Sequence, residues 1–372
     1  MQTARKTRRT VLRPLRRLAG WKAAILSLVA TLSLAGPSLA DSAGFSGVSV
    51  RIMTQNMYQG TNFERILRAK TPEEFVAAVT ATYRDVLATR PRERAASIAR
   101  TIARERPDIV ALLETTILRT GSPPATDVES DQLIAVLAEL RRLGLPYEAI
   151  AILPGTDTEA PTLLGKDVRI TDRTAIIVPS SPVFDAFRVS NMQVQDYIAN
   201  SPIVLPVGPP AISRAGWASV DLTVRGRTFR FATTHLEVIP PFAIQRAQAL
   251  EAIKSVGNTA LPLVFVGDFN TVAGNPKHPT FPTYKMFIDA GFVDAWKTKY
   301  PSLPGFTCCQ ASNLKNPVSA LNMRIDLVLT RGPVSVDAIK LVGNLPGDRT
   351  ASGLWPSDHA GLVATVRLTA SR

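Results

Sequence analysis

The clearest chemical signal in this chain is a short segment in which the apolar run 263–266 leads directly into Gly267, Asp268, Phe269 and Asn270. Such a run is typical of a strand buried on both faces, and the glycine allows a sharp turn at its end. In extended geometry, Asp268 and Asn270 would project to the same side. A carboxylate and an amide there suit a water, a phosphate oxygen or a hard cation. Both residues also favour turns, so an ordinary strand-end turn is the alternative.

Other predicted strands also end at, or begin near, residues with oxygen or imidazole donors. Each has a structural alternative: an asparagine can form a turn, a glutamate can be a solvated strand end, and a histidine can be satisfied in the core. Asp326 could be an ion-pair partner of Arg324, since a buried carboxylate needs a partner. The set comprises Asn56, Glu114, His235, Asp326, Asp358 and His359, and it includes two of the three histidines of the chain.

Apolar periodicity predicts the elements that must position these residues. Strands are expected at 48–57, 109–114, 147–153, 168–178, 183–190, 216–224, 228–234, 263–266, 324–329, 334–342 and 361–368. Helices are expected at 71–87, 92–104, 132–143, 242–256 and 280–290. Residues 119–130 and 154–167 are expected to be loops, and 191–210 an irregular insertion. Strands dominate, with helices between some of them, so we expect one α/β domain over residues 44–372.

Composition places the chain among ordinary globular proteins. Of its 372 residues, 45% are hydrophobic and 20% are charged, which is enough material for a core. The formal net charge of +13 would suggest a nucleic-acid or anionic-membrane partner. However, residues 1–40 contain eight Lys or Arg and no acidic residue, so the remainder carries only +5. This mild excess is compatible with a phosphate substrate without being diagnostic of one.

The N-terminus has the pattern of an export signal. A basic region precedes the apolar run 23–36, and the small residues Ser38 and Ala40 fit signal-peptidase cleavage after Ala40. Residues 7–13 also resemble the bacterial twin-arginine signal. An ordinary secretory signal and an uncleaved anchor are the alternatives. We therefore expect residues 1–40 to be a signal peptide and the protein to be secreted or periplasmic.

The chain has two cysteines, and they are adjacent at Cys308 and Cys309. As neighbours they cannot link distant segments or form a zinc site by themselves. A strained vicinal disulfide in an oxidising compartment is one interpretation. Two small buried residues are the favoured interpretation.

The order and local sequences of the candidate residues resemble the endonuclease/exonuclease/phosphatase superfamily from about Val48 to Leu368. The motifs that carry the resemblance are Gln55-Asn56, Leu113-Glu114, Thr234-His235-Leu236, Gly267-Asp268-Phe269-Asn270, Arg324-Ile325-Asp326 and Ser357-Asp358-His359. The resemblance implies an α/β four-layer sandwich, in which two packed mixed β-sheets are flanked by helices. It also implies metal-dependent, Mg²⁺-type hydrolysis of phosphoesters.

The metal ligands follow from the resemblance and from the chemistry of Mg²⁺, a hard cation that prefers carboxylates and waters. Glu114 is the first-choice ligand, with Asn56 beside it and Asp358 as a second carboxylate. Mn²⁺ and Ca²⁺ are alternative ions.

The catalytic roles follow in the same way. Asp268 would activate or orient the attacking water, and Asn270 would donate to a nonbridging phosphate oxygen. His359, oriented by Asp326, and His235 would stabilise charge on the phosphoryl group or protonate the leaving oxygen.

The chain departs from the superfamily pattern at Leu113, where a glutamine is usual, and in the long segments 57–113 and 191–210. These departures bear on the shape of the substrate cleft. Arg173 and Arg214 are additional, weaker candidates for phosphate binding.

The superfamily includes nucleases, sphingomyelinases and inositol phosphatases, so the fold alone does not give the substrate. The first expectation is a secreted, endonuclease-like phosphodiesterase that acts on nucleic acid. The second is a sphingomyelinase-like enzyme that cleaves a phospholipid headgroup, with Trp355 and 238–242 as apolar contacts. The third is an exported binding protein on the same fold without activity. A monomer is expected in each case.

Overall fold

A computed structural model describes residues 47–180, 187–207, 211–240 and 242–369. These residues belong to the compact unit Phe45–Arg372. The signal peptide expected at 1–40 lies outside the described residues and stays a prediction. Within them, no helix is long and apolar enough to cross a membrane.

The described residues form sixteen strands and seven α-helices. The strands are β1 (Val48–Asn56), β2 (Ile109–Leu113), β3 (Ile117–Gly121), β4 (Asp127–Asp131), β5 (Tyr147–Pro161), β6 (Asp167–Pro179), β7 (Phe187–Asp196), β8 (Ser201–Ile203), β9 (Ala211–Ser213), β10 (Gly216–Val224), β11 (Arg227–His235), β12 (Leu263–Asp268), β13 (Val293–Asp294), β14 (Asp326–Arg331), β15 (Val334–Val342) and β16 (Gly361–Leu368). The helices are α1 (Glu64–Arg68), α2 (Pro72–Ala88), α3 (Pro91–Glu105), α4 (Gln132–Arg142), α5 (Ala243–Ser255), α6 (Phe281–Asp289) and α7 (Ala295–Lys299).

Most of the strands belong to two large mixed sheets. In the part of the chain that the structure describes, the first sheet has eight strands in the order β15-β16-β1-β2-β6-β3-β4, with β5 paired to β6. The second has six strands in the order β13-β14-β12-β11-β10-β7. β1 and β2 are parallel, as are β11 and β12, whereas β16 and β14 run antiparallel to β1 and β12. β8 and β9 form a separate pair.

The apolar core lies between the sheets and on both of their outer faces. Ile52 and Ile109 of the first sheet share the central core with Phe231 and Val264 of the second. Helices α3 and α4 cover the outer face of the first sheet, and α5 and α6 cover the outer face of the second. Because both faces are covered, every residue of β2 and β12 is buried, as their continuous apolar runs predict. The order of helices, sheet, sheet and helices confirms the predicted four-layer sandwich.

All five predicted helices are confirmed, and their ends differ from the prediction by at most one residue. The start of α2 shows why the local signals work. Thr71 Oγ1 accepts a hydrogen bond from the backbone N–H of Glu74 at 3.2 Å, and Pro72 occupies the first helical position. This cap satisfies a backbone donor that the helix itself cannot satisfy.

The three segments expected to be irregular contain strands, so that prediction was wrong. Residues 119–130 include the end of β3 and most of β4, residues 154–167 include half of β5, and residues 191–210 include most of β7 and all of β8. These strand portions are largely exposed, so polar residues pair across them where loops were expected. Arg169 Nε on β6, for example, donates to Asp157 Oδ1 on β5 at 2.8 Å. The short elements α1, α7 and β13 were not predicted.

Candidate active site

Parallel strands of both sheets end at one edge of the molecule. In the first sheet, β1 ends at Asn56 opposite Leu113, the last residue of β2, which places Glu114 beside Asn56. In the second sheet, β11 ends at His235 directly opposite Asp268, the last residue of β12. Neighbouring parallel strands therefore deliver four of the predicted site residues to the same edge.

The antiparallel strands supply Asp326, Asp358 and His359 at or just before their starts, and Asn270 follows the end of β12. β14 begins at Asp326, which lies opposite Asp268. β16 begins at Gly361, two residues after His359. Six predicted residues line one cavity of about 500 Å³, and Asn56 and Asp326 contact them from behind. The lining residues are Glu114, His235, Asp268, Asn270, Asp358 and His359.

Asn56 links the two sheets through its side-chain amide. Its Nδ2 donates to Glu114 Oε1 at 3.0 Å and to Asp268 Oδ2 at 3.2 Å. Its Oδ1 accepts the backbone N–H of Tyr58 at 2.9 Å, and Glu114 Oε2 accepts that of Gln59 at 2.8 Å. The turn after β1 thus fixes two of the three predicted metal ligands, and one lone pair of Asn56 Oδ1 is left for a cation.

Gly267 lies inside β12, one residue before its end, and not in a turn as expected. Its φ is +136°, and an added Cβ would collide with the backbone oxygen of Thr234 on β11. A glycine is therefore required for the close approach of the two strands. That approach brings His235 and Asp268 together.

Asn270 does not form an extended pair with Asp268, because its φ of +47° is left-handed. Its backbone N–H donates to Asp268 Oδ1 at 2.9 Å, and its Nδ2 donates to the carbonyl of Leu236 at 2.8 Å. A second amide hydrogen remains for a ligand. Glu114 also has a left-handed backbone, with a φ of +54°. Such non-glycine conformations are uncommon and concentrate at functional sites.

His359 is oriented by a buried carboxylate. Its Nδ1 lies 2.7 Å from Asp326 Oδ2, and Asp326 is only 1% exposed. Arg324 pairs instead with Asp294 at 2.6 Å, so Asp326 is not the ion-pair partner of Arg324. Burial lowers the pKa of His359, but the surrounding carboxylates, Asp326 and Asp358 foremost, together raise it well above its usual value. The contact with Asp326 holds the ring in one orientation.

His235 lies on the other side of Asp268. Its Nε2 is 3.6 Å from Asp268 Oδ2 and 4.0 Å from Glu114 Oε1. Burial lowers the pKa of His235, but Asp268, Glu114 and Asp172 together raise it above its usual value. His359 Nδ1 approaches the same Asp268 oxygen at 3.9 Å. Two imidazoles therefore flank the central carboxylate.

Asp172 on β6 is a site residue that the sequence reasoning missed. It lines the cavity, and its Oδ1 is buried without a hydrogen-bond partner among the described residues. Burial and the charge of Glu114 raise its pKa to about 7. The available signal was an acidic residue inside the strand predicted at 168–178. An ion pair with the adjacent Arg173 would explain such a residue without any role in the site.

Five site carboxylates share this edge without a lysine or arginine nitrogen within 4 Å in the described residues. Burial and the charge of Glu114 raise the pKa of Asp358 to about 7, although His359 lowers it. Ligand atoms of Asp268, Asp326 and His359 lie within 4.8 Å of one another. Hard, uncompensated oxygen donors of this kind fit a divalent cation such as Mg²⁺. The five are Glu114, Asp172, Asp268, Asp326 and Asp358.

Arg94 on α3 holds together the backbone segments that carry the site, and the sequence did not identify it. This side chain is fully buried and donates to the carbonyls of Met57, Tyr58, Thr89 and Pro356. Burial lowers its pKa to about 10, so it stays charged at neutral pH. It joins the turn after β1 to the loop before β16. An arginine in an amphipathic helix usually belongs to the solvated face, which is why the pattern did not reveal it.

Cys308 and Cys309 form a disulfide at the cavity wall, whereas two separate buried residues were favoured from the sequence. Cys308 is 2% exposed and makes isolated β-bridges with Met323 and with His359. The cysteine pair therefore supports the backbone that carries His359.

The arginines considered for phosphate binding are both paired with carboxylates. Arg173 donates to the carbonyl of Thr115 at 2.9 Å and to Asp131 Oδ1 at 2.6 Å, and it does not line the cavity. Arg214 lies at the cavity rim and pairs with Asp196. Neither supplies a free cation to the carboxylates.

The apolar contacts considered from the sequence differ in exposure. Trp355 is fully buried, so it cannot contact a lipid surface. Val238, in contrast, is 59% exposed and lines the cavity.

The family model of the endonuclease/exonuclease/phosphatase family matches residues 53–359, a range that includes all eight predicted site residues. The chain belongs to the endonuclease/exonuclease/phosphatase family, as its motifs indicated. Members of this family are generally metal-dependent hydrolases. A comparison with curated proteins found no match.

Solved structures of three bacterial endonuclease/exonuclease/phosphatase proteins are similar to this chain. The protein from Bacteroides thetaiotaomicron has a TM-score of 0.54 and 16% identity, over 88% of this chain and 100% of that one. The protein from Leptotrichia buccalis C-1013-b has a TM-score of 0.52 and 15% identity, over 85% and 98%. The protein from Beutenbergia cavernae DSM 12333 has a TM-score of 0.51 and 19% identity, over 87% and 72%. At these identities the likeness concerns the fold.

Proposed function

We propose that the protein is an exported, Mg²⁺-dependent phosphodiesterase. The observation that carries the proposal is the gathering of five carboxylates and two histidines from both sheets at one cavity. Phosphoryl transfer depends chiefly on positioning the reactants and on neutralising charge at the phosphoryl oxygens. The arrangement of these side chains serves both purposes.

The metal would be held by Glu114 and Asp358, with Oδ1 of Asn56 as a neutral ligand and Asp172 nearby. Burial, together with the charge of Glu114, raises the pKa values of Asp172 and Asp358, and a bound divalent cation would stabilise their charged forms. When bound, Mg²⁺ supplies Lewis-acid neutralisation of the phosphoryl oxygens. Mn²⁺ and Ca²⁺ suit the same oxygen donors.

Asp268 is placed to orient an attacking water and accept its proton. Its Oδ1 is fixed by the backbone N–H of Asn270 and its Oδ2 by Asn56 Nδ2, so the carboxylate has one orientation. The second amide hydrogen of Asn270 is then available to a nonbridging phosphate oxygen. General-base catalysis of this kind contributes about 10²–10⁴-fold to a rate.

His359 and His235 would supply positive charge on the phosphoryl side. Asp326 holds Nδ1 of His359, which leaves Nε2 to face the cavity. From there, a protonated imidazole donates to a phosphoryl oxygen or to the leaving oxygen. Neighbouring carboxylates raise the pKa of both histidines above the usual value, and this shift favours the protonated, donating form.

Of the substrates expected from the sequence, we propose a phospholipid headgroup first and nucleic acid second. The first is favoured by the cavity wall beyond the carboxylates, where apolar residues such as Val238 and Ile239 predominate. Binding of single or double strands depends instead on cations placed along the phosphate backbone.

The test follows hydrolysis by the purified protein with Mg²⁺ or with EDTA. Methyl 4-nitrophenyl phosphate, supercoiled plasmid DNA and sphingomyelin vesicles are assayed in parallel. We expect nitrophenolate release that needs Mg²⁺ and is lost in Asp268→Asn but kept in Asp289→Asn, an exposed carboxylate on α6. Activity that survives EDTA or Asp268→Asn would refute the mechanism. Plasmid nicking would establish nucleic acid as a substrate, and headgroup release without nicking would establish the lipid.

Export is proposed from the pattern of residues 1–40 and is tested by cell fractionation. If the twin-arginine route is used, replacing Arg8 and Arg9 together by lysine should retain the protein in the cytoplasm. Normal export of that double variant would indicate an ordinary secretory signal. Retention of the wild-type protein in the cytoplasm would contradict export.

A further inference from the structure

The cavity at the site continues well beyond the carboxylates, and its far part is apolar. Several segments build this part: the turn and helix α1 after β1, strand β6, the β8–β9 pair and the segment after β11. Apolar side chains of these segments line the cavity and are only partly buried. We call this set the apolar wall, and its members are Phe63, Ile66, Ile170, Ile203, Leu205 and Ile239.

The size and continuity of the cavity suit a bound small molecule. Its volume of about 500 Å³ lies within the range of roughly 300–1,000 Å³ that is typical of ligand sites. Glu114, Asp268 and His359 line one end of the same cavity. A molecule whose phosphate lies at these residues would therefore extend directly onto the apolar wall.

The charges around the apolar wall do not suit a second phosphate. Arg214 is the single lysine or arginine that lines the cavity in the described residues, and it is already paired with Asp196. Glu159 and Glu237 add negative charge to the lining. The flanking phosphates of a nucleic acid would meet hydrocarbon and carboxylates there, whereas such chains are held by basic residues.

We propose that the substrate is a phosphoester with a single apolar substituent, such as an alkyl or isoprenoid chain, which binds against the apolar wall. The proposal rests on the proposed phosphodiesterase function, because it places the phosphate at the same carboxylates and histidines. The limited volume accommodates one chain, so the molecule is taken up as a monomer, without a lipid surface as docking partner.

The binding test uses n-alkylphosphonates, which have no cleavable ester bond. The dissociation constants of methylphosphonate and octylphosphonate are measured by titration calorimetry on the whole protein with Mg²⁺, below the micelle concentration. Each buried methylene is worth about fourfold in affinity, so burial of three or four methylenes makes octylphosphonate bind about 100-fold more tightly. Equal affinities for the two compounds would overturn the proposal.

Adjacent residues of the β8 segment provide a matched pair of variants. Ile203 lines the cavity, whereas its neighbour Val204 does not and is 83% exposed. Ile203→Glu should abolish the preference for octylphosphonate, and Val204→Glu should keep it. Equal loss in both variants, or in neither, would contradict the apolar wall as the binding surface.

A second variant addresses the case in which Ile203→Glu does not fold. Ile66 lies on α1, a helix without buried residues, so Ile66→Glu is compatible with folding. We expect it to reduce the affinity for octylphosphonate at least about tenfold while methylphosphonate binding is unchanged, because only the chain loses apolar contact. An unchanged octylphosphonate affinity would count against the proposal.

Hydrolysis of methyl 4-nitrophenyl phosphate separates the two proposals. If this ester is cleaved but chain length has no effect on phosphonate binding, the proposed function stands and the apolar substituent is wrong. If the ester is not cleaved but octylphosphonate binding depends on Ile203, the apolar wall stands and the phosphodiesterase function is wrong.

Discussion

The buried carboxylate Glu105 and the carboxylates of the active site have opposite electrostatic surroundings. Glu105, at the end of α3, is 5% exposed and accepts hydrogen bonds from Arg51 at 2.5 Å, Arg104 at 3.2 Å and Lys340 at 3.0 Å. Burial raises the pKa of Glu105, but these cations lower it more, and the net pKa is below its usual value. At the active site, burial raises the pKa of Asp358 to about 7, and no lysine or arginine in the described residues pairs with it.

The difference separates a structural cluster from a functional one. A buried charge is tolerated when it is paired, and at Glu105 the protein provides the pairing itself. At the site, the carboxylates face one another and two histidines, so much of the compensation must come from solution. A bound cation is the simplest source of that compensation. Uncompensated, perturbed carboxylates in a cavity thus indicate function where compensated ones indicate packing.

The largest expected contrast between the clusters is in catalysis. His359→Ala and Asp268→Asn should each lower kcat about 10²–10⁴-fold, because each removes a proton-transfer or charge-stabilising group. Glu105→Gln should leave kcat within about twofold, since neither Glu105 nor its cationic partners line the cavity. Turnover of methyl 4-nitrophenyl phosphate with Mg²⁺ measures all three. A decrease in kcat in Glu105→Gln as large as in His359→Ala would contradict the distinction between a structural and a functional carboxylate.

The second contrast concerns metal binding. At about 100 times its Kd, Mg²⁺ should raise the free energy of unfolding by about 2.7 kcal/mol, because it binds the folded state. Glu114→Gln should greatly reduce this increase, and Glu105→Gln should retain it. Urea unfolding with and without Mg²⁺ gives the values. An increase that persists in Glu114→Gln would show that Glu114 is not a ligand.

The third contrast is in stability without metal. Glu105→Gln should lower the free energy of unfolding by about 1–2 kcal/mol, a value discounted because its three cationic partners are partly exposed. Asp358→Asn should leave it unchanged or raise it by about 1 kcal/mol, because it removes a buried charge and its repulsion with Glu114. Urea unfolding in EDTA tests both variants. If Asp358→Asn destabilises the protein as much as Glu105→Gln does, the charge of Asp358 is stabilised by the protein itself, as that of Glu105 is.

The smallest expected effect is on pH dependence. Asp172 and Asp358 have usual pKa values of 3.8 that rise to about 7 in the folded protein, so folding favours their protonated forms. The metal-free protein should therefore become less stable as the pH rises from about 4 to about 7, because the unfolded chain releases these protons first. Asp172→Asn should flatten this slope. Stability in EDTA that rises over the same interval in the wild type would contradict the assignment.

Local sequence signals predicted the elements well wherever burial alone controlled them. The runs at 109–113 and 263–266 are apolar throughout because both faces of β2 and β12 are covered. The half of β5 after Leu153 was missed because it extends beyond the core, where paired polar residues resemble a loop. Apolar patterns therefore predicted the buried strands of the sandwich correctly and missed the strand portions that extend beyond the core.

The candidate site divides in the same way. Asp268, Asn270 and His359 stand out because their residue types follow or precede recognisable strands. Asp172 and Arg94 did not stand out, since each acquires its role from residues far away in the chain. Arg94, for example, donates to the carbonyls of both Met57 and Pro356.

The sequence by itself determined the class of fold, the strand ends that carry chemistry and the type of that chemistry, because apolar periodicity and residue type are local properties. Only the tertiary structure decided that Asp326 pairs with His359 and not with Arg324, and that Asn56 joins Glu114 to Asp268. It also decided that an apolar wall continues from the site. These relations depend on distances between strands of different sheets, and no local pattern encodes such distances.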